Sequence, residues 1–190
     1  MRTNLYLVRH AHSIYTPEEL TRPLSEKGLS DAQRVTSILA NEQIEVVISS
    51  PYKRAIQTVE GIAQTIQQNI KLIDGFKERK LSEGPVFDFD TAIRKVWEDE
   101  IFSWEGGESN QIAQKRGVMA TYSVLESYKG KNIVVGTHGN LMVLIMNYFD
   151  KKYDFSFWRE LDMPDIYKLS FEENRLKEVH RVWQSMVRNG

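Results

Sequence analysis

Cysteine is missing from this chain altogether. Its absence excludes disulfides, thiolate nucleophiles and thiolate metal sites, and it accords with a reducing compartment. An excess of charge of either sign is missing too: 25 Lys and Arg stand against 26 Asp and Glu, for a net charge of -1. The basic residues are scattered among the acidic ones, so the stripe a nucleic-acid binder presents is not there, and nucleic acid is excluded as a partner. No apolar stretch approaches the ~20 residues of a membrane-spanning helix, so no membrane association is expected. Only Leu5, Tyr6, Leu7 and Val8 precede the arginine at position 9 as apolar or aromatic residues, too few for a signal-peptide core, and a cytoplasmic protein is expected.

What is present is an ordinary globular composition. At 190 residues, 41% hydrophobic and 27% charged, the chain is long enough for one well-filled core and short for two. A single domain over 1–190 is expected. Leu5 to Val8 is a continuous apolar run, the pattern of a strand covered on both faces. Glu45 to Ile48, Ile70 to Ile73 and Ile133 to Val135 are further strand-like runs. Between them, Ser25 caps a helix with Leu29, Ala32, Val35 and Leu39 on one stripe. Ser50-Pro51 reads as N-cap and first residue of a second helix, with Ile56, Val59, Ile62, Ala63 and Ile66 inward. A helix from Ser109 to Tyr128 and an apolar helix beginning at Leu141 follow. Ile166 to Phe171 and Leu176 to Val182 flank Glu172-Glu173-Asn174-Arg175 as a closing hairpin. The alternation predicts an α/β fold, a three-layer sandwich with a mostly parallel central sheet flanked by helices. Residues from about 80 to 109 resist assignment, mixing Gly84-Pro85 and Gly106-Gly107 with Phe87, Phe89, Trp97, Phe102 and Trp104. That stretch is expected to be a lid-like insertion whose aromatics pack it onto the domain.

In such sheets ligands bind beyond the carboxyl ends of the strands. The first strand ends in Arg9-His10, the second leads into the helix whose first turn carries Arg54, and the strand before Gly136 ends at His138. Two guanidinium groups, a helix N-terminus and two imidazoles form a clamp for a phosphoryl group. Positive neighbours keep His10 neutral, the form a nucleophile needs. Glu78, after the third strand, is placed to protonate a leaving alkoxide and then to activate water. Arg116 is expected to reach the substrate from its helix, and His12 with Ser13 to line the entrance. Gly139 and Asn140 start the helix after His138, where Asn140 touches phosphate or caps. Lys53 and Arg79 are expected on the solvated rim, and His180 as structural.

Leu7-Val8-Arg9-His10, Pro23-Leu24-Ser25-Glu26-Lys27-Gly28, Ser49-Ser50-Pro51-Tyr52-Lys53-Arg54-Ala55-Ile56-Gln57-Thr58, Glu78, Gly106-Gly107-Glu108-Ser109 and Thr137-His138-Gly139-Asn140 together resemble the histidine phosphatase superfamily. This is the group that includes cofactor-dependent phosphoglycerate mutases and many small phosphatases. The resemblance covers most of the chain and implies a phosphoglycerate mutase-like fold. It further implies His10 as the phosphorylated residue, Arg9, Arg54 and His138 on the phosphoryl oxygens, and Glu78 as acid and then base. No metal and no cofactor is implied. The usual Arg-His-Gly-(Glu/Gln)-(Ser/Thr) reads Arg9-His10-Ala11-His12-Ser13, which leaves the substrate open; Ala11 is acceptable where its backbone has negative φ.

The expected activity is hydrolysis of a small-molecule phosphate monoester through a phosphohistidine on His10. The alternatives are phosphoglycerate mutase-type transfer, a catalytically inactive phospho-ligand-binding module, and a metal-dependent hydrolase built on His10-x-His12. Substrate identity and subunit number are not written in these motifs.

Overall fold

The computed structural model describes residues 1–84 and 86–184. Its centre is a six-stranded sheet of β1 (Arg2–Arg9), β2 (Val46–Ser49), β3 (Lys71–Leu72), β4 (Asn132–Thr137), β5 (Asp165–Glu172) and β6 (Arg175–Arg181). The spatial order is β3-β2-β4-β1-β5-β6. The first four strands run parallel, and the β5–β6 hairpin adds two antiparallel strands beside β1. Six α-helices accompany them: α1 (Glu26–Leu39), α2 (Lys53–Thr65), α3 (Phe89–Glu98), α4 (Asn110–Ser127), α5 (Gly139–Phe149) and α6 (Phe155–Glu160).

The period-two geometry of a strand explains how one apolar run fills two layers. Leu5 and Leu7 of β1 join Ile133 and Val135 of β4 in a core shared with α4 and α5. Tyr6, Val8, Val47 and Val134 face the other way, onto Val35 and Leu39 of α1 and Val59, Ile62 and Ala63 of α2. Nearly all these side chains are fully buried, each contributing on the order of 1.5–3 kcal/mol. The fold is therefore an α/β sandwich around a mostly parallel sheet, as the alternation predicts.

Several local expectations change. Leu29 is 46% exposed and leaves the α1 stripe, where Asp31 takes a buried place held by Lys27 and Arg34. Ser50 and Pro51 lie outside α2, which begins at Lys53 with Tyr52 as N-cap. The reason is that the Ser50 hydroxyl is drawn to His138 Nε2, 2.8 Å away. Helix α5 starts two residues earlier than the apolar run, at Gly139. Two helices were hidden in the sequence. In α3, inside the unassigned stretch, Asp88 caps by accepting from the N–H groups of Asp90 and Thr91, while Ala92, Ile93 and Val96 turn inward. The other is the single turn and a half of α6, capped by Asp154.

Candidate active site

Three strands deliver their C-terminal ends to one place. β1 ends in Arg9-His10, β2 leads into Ser50, and β4 leads into His138. The His10 N–H bonds to the Thr137 carbonyl at 3.0 Å and the Ser50 N–H to the Gly136 carbonyl at 2.8 Å, so the loops stay in register as they leave the sheet. His10 is only 8% exposed, Arg54 4%, and His138 fully buried. Ala11 is also enclosed; its N–H donates to Thr58 Oγ1 at 3.0 Å, and the Thr58 hydroxyl donates to the Arg54 carbonyl at 2.7 Å. Positive φ among described non-glycine residues occurs at Gln43, Gln67 and Glu173, so Ala11 has the backbone an alanine tolerates.

The tautomer of His10 follows from its partners. Arg54 Nε lies 3.2 Å from His10 Nε2, and a guanidinium N–H only donates. Nε2 must therefore accept, which places the ring proton on Nδ1, where it reaches the Ala11 carbonyl at 2.8 Å. Burial and the Arg54 charge push the His10 pKa down to about 3. The result is a neutral imidazole whose Nε2 lone pair faces Arg54. His138, stacked edge-on at 5.2 Å from His10 and 4.9 Å from Tyr52, is held well below its ordinary pKa by burial and then by the charge of its neighbours. Its Nδ1 is buried without a partner.

Arg9 is fastened from behind. Its Nη1 donates to the carbonyls of Leu161 and Asp162, each at 3.1 Å, while Nε is buried and unpartnered. A Cβ on Gly139 would lie 3.0 Å from that Nε, so the guanidinium packs against the start of α5 at a glycine. Glu78 lies at the same helix start. Its Oε1 accepts from the N–H groups of Arg79 and Leu141 at 2.8 and 3.1 Å, and its Oε2 from the Asn140 N–H at 3.3 Å. The carboxylate thus caps α5, where the N-terminal dipole favours negative charge, close enough to favour the charged forms of Arg9 and Arg54.

Residues 5–184 match the histidine phosphatase superfamily (branch 1). The chain belongs to that superfamily. Among its relatives, phosphoglycerate mutase-like protein 4 of Arabidopsis thaliana is 31% identical over 73% of this chain and 67% of its own. Phosphoserine phosphatase 1 of Hydrogenobacter thermophilus is 29% identical over 70% of each. The mycobacterial glucosyl-3-phosphoglycerate phosphatase, in complex with VO3, superposes with a TM-score of 0.79 at 19% identity, covering 94% of this chain and 97% of that one. This last likeness shows the shared fold.

Other residues singled out in the sequence have different surroundings in the folded chain. The expectation that Arg116 reaches the substrate meets a guanidinium already engaged: Nε and Nη2 grip Glu108 at 2.9 and 2.8 Å, and Nη1 donates to the carbonyls of Gly75 and Lys77 at 2.9 and 3.0 Å. Arg79, expected on the rim, is 3% exposed. Its Nε and Nη1 have no partner, and burial lowers its pKa. His12 is exposed and shares a 2.8 Å hydrogen bond with Ser25. Ser13 bridges to Leu24. The Asn140 side chain accepts from Trp97 Nε1 at 3.2 Å, which ties α3 to α5; Trp104 Nε1 donates to the Ala92 carbonyl at 3.1 Å. Trp97 therefore ties the 80–109 stretch to α5, while Trp104 bonds within that stretch. Lys53 and His180 are exposed, His180 on β6. Among the described residues no group of three or more His, Asp or Glu converges as a metal site, and no helix is long and apolar enough to cross a membrane.

Sequence reading missed Tyr52, Glu19 and Arg22. Tyr52 packs under Arg54, whose Cζ is 4.8 Å from the ring centre. Glu19 Oε2 lies 3.0 Å from Arg54 Nη2, and Glu19 Oε1 lies 2.7 Å from Arg22 Nη2. Nothing in Pro17-Glu18-Glu19-Leu20-Thr21-Arg22 distinguishes those two from solvated loop charges; only the arginine just before the Pro-Leu-Ser step offered a hint.

Proposed function

We propose that this protein is a phosphomonoesterase that hydrolyses small phosphate esters through a phosphohistidine on His10. The observation that carries the reading is the Arg54 Nε to His10 Nε2 hydrogen bond, because it leaves the imidazole neutral with its nucleophilic lone pair toward the clamp. Nε2 attacks phosphorus, the ester P–O bond breaks, and the leaving oxygen takes a proton. Water then attacks the phosphohistidine and inorganic phosphate departs. Arg9 Nε, Arg54 and the unpartnered His138 Nδ1 supply donors to the equatorial oxygens whose charge the transition state spreads. Ser50 orients His138 by occupying its Nε2.

Glu78 is the acid and then the base in this reading. Three backbone N–H groups hold its carboxyl in place; it gives its proton to the leaving oxygen and regains one from the attacking water. Arg116 is a positioning residue: by holding Glu108 and the Gly75 and Lys77 carbonyls it fixes the segment on which Glu78 sits. The unpartnered Arg79 guanidinium would meet an acceptor on the ester's alcohol portion. The phosphoserine and phosphoglycerate named for the relatives carry a carboxylate in that portion, and a substrate with an acidic group close to its phosphoester fits this chain for the same reason. Residues 80–109 are the specificity lid.

A screen of metal-free protein against phosphate esters, with His10→Ala beside it, tests the proposal. Wild type is expected to release phosphate and the variant to release none above background. Equal release by both removes the nucleophile. A mutase is distinguished with 3-phosphoglycerate and its bisphosphate, where isomerisation outrunning phosphate release favours transfer over hydrolysis.

A further inference from the structure

The clamp is already closed on an anion, and that anion is part of the chain. In a guanidinium the N–H of Nε and one N–H of Nη2 lie parallel on a single edge, the edge that grips carboxylates and phosphates in pairs. On Arg54 that edge holds His10 Nε2 at 3.2 Å and Glu19 Oε2 at 3.0 Å. The Glu19 carboxylate thus sits beside the lone pair of the nucleophile, where phosphorus has to come. Its other oxygen is held by Arg22 Nη2 at 2.7 Å.

Arg22 is built into the site. Its side chain is 14% exposed, it stacks at 4.7 Å on Tyr15, and Nη2 also donates to the Thr16 carbonyl at 2.9 Å. Its Nε is buried without a partner. Backbone bonds pin the loop independently of the carboxylate: the Lys53 N–H donates to the Leu20 carbonyl and Arg54 Nη1 to the Glu19 carbonyl, both at 2.9 Å. The Glu19 side chain, by contrast, is 53% exposed, so it can rotate into solvent while the loop stays.

We propose that Glu19 is a displaceable place-holder in the phosphoryl site, and that Arg22, which it ties to Arg54, becomes a further phosphate-binding cation once the carboxylate swings out. In the empty site, one carboxylate spanning two arginines offsets their repulsion and keeps Arg54 docked on His10. A dianionic phosphoryl group offers more oxygens and more charge to the same donors, and it replaces the carboxylate. A monoanion competes less well, which biases the site toward fully ionised phosphate groups.

This inference rests on the clamp binding phosphoryl groups, and its test reads binding apart from turnover. Inorganic phosphate is titrated calorimetrically into wild type, Glu19→Gln, Arg22→Gln and the double variant, each checked for its melting transition. Removing the charge of the place-holder is expected to tighten phosphate about fivefold, the scale of a partly desolvated ion pair. With p-nitrophenyl phosphate, KM should fall by a similar factor while kcat holds. Arg22→Gln should weaken phosphate, and in the double variant it should cancel the gain. Weaker phosphate binding by Glu19→Gln would show that the carboxylate merely braces Arg54, and a fall in kcat at constant KM would show that it moves a proton; either result overturns the place-holder. Inactivity of His10→Ala is a separate readout and leaves this one standing.

Discussion

Each polar side chain of the site is defined by what it touches on its inner side. His10 has Nδ1 committed to the Ala11 carbonyl and Nε2 facing Arg54, so its role follows from two partners rather than from its identity as histidine. Glu78 accepts from three backbone N–H groups, and in the first half-reaction of the proposed cycle it must give a proton away. The proton it takes from water in the second half-reaction is the one it gives to the next leaving group. Glu78→Gln is therefore expected to depress kcat about a hundredfold on alkyl phosphates, within the usual span of general acid catalysis. The loss should be far smaller on p-nitrophenyl phosphate, whose leaving group needs no proton. Steady-state assays of both esters decide this, and equal losses would place Glu78 outside proton transfer. Had Arg79 been read only as a charged residue it would have stayed on the surface; two unpartnered nitrogens in a buried guanidinium mark it as waiting for an acceptor.

At the scale of elements, the site depends on loops brought together by short contacts between helices and turns. A Cβ at Gly28, in the first turn of α1, would come within 2.0 Å of the His12 carbonyl, so the Pro-Leu-Ser-x-x-Gly step needs glycine to let the His10 loop lie across the helix. Arg116 reaches from α4 across the turn Asp74–Phe76, joining it to Glu108 before the helix begins. Arg116→Met should leave a folded protein with kcat lowered roughly tenfold and KM little changed, because carbonyls that position Glu78 lose their donor while the clamp stays intact. A KM effect dominating the loss would instead indicate direct contact with substrate. Helix α3 was not legible because its inward residues Ala92, Ile93 and Val96 are few and stand between irregular stretches; Asp88 as N-cap is clear only once its hydrogen bonds are seen.

For the whole molecule, burying two imidazoles at the end of the sheet links folding to pH. His10 is neutral in the folded protein down to about 3, whereas its ordinary value is 6.5, and His138 is shifted in the same direction. Between those values the unfolded chain binds protons that the folded chain refuses, so stability is lost as pH falls below 6.5. Denaturant titrations from about pH 7 to about pH 5 should show this decline, and His10→Gln should flatten it. An unchanged slope would mean that His10 takes up a proton without unfolding. The same shift predicts that the nucleophile does not set the acid limb of the rate profile in that range.

The sequence by itself determined the layers and most of the clamp. Continuous apolar runs of three or four residues read as buried strands, Arg9-His10 follows one directly and His138 another after Gly136-Thr137, and parallel pairing of β1 with β4 places them together. Tertiary structure alone decided which donors were free and which were engaged. Arg116 is engaged by Glu108 and two carbonyls, Arg79 is buried rather than on the rim, Ser50 left its helix for His138, and Glu19 entered the site from a loop that reads as solvated charge. Strand pattern is a local property set by burial of alternate side chains. The partner of a long polar side chain is set by segments tens of residues away, and only the folded chain brings those within hydrogen-bonding reach.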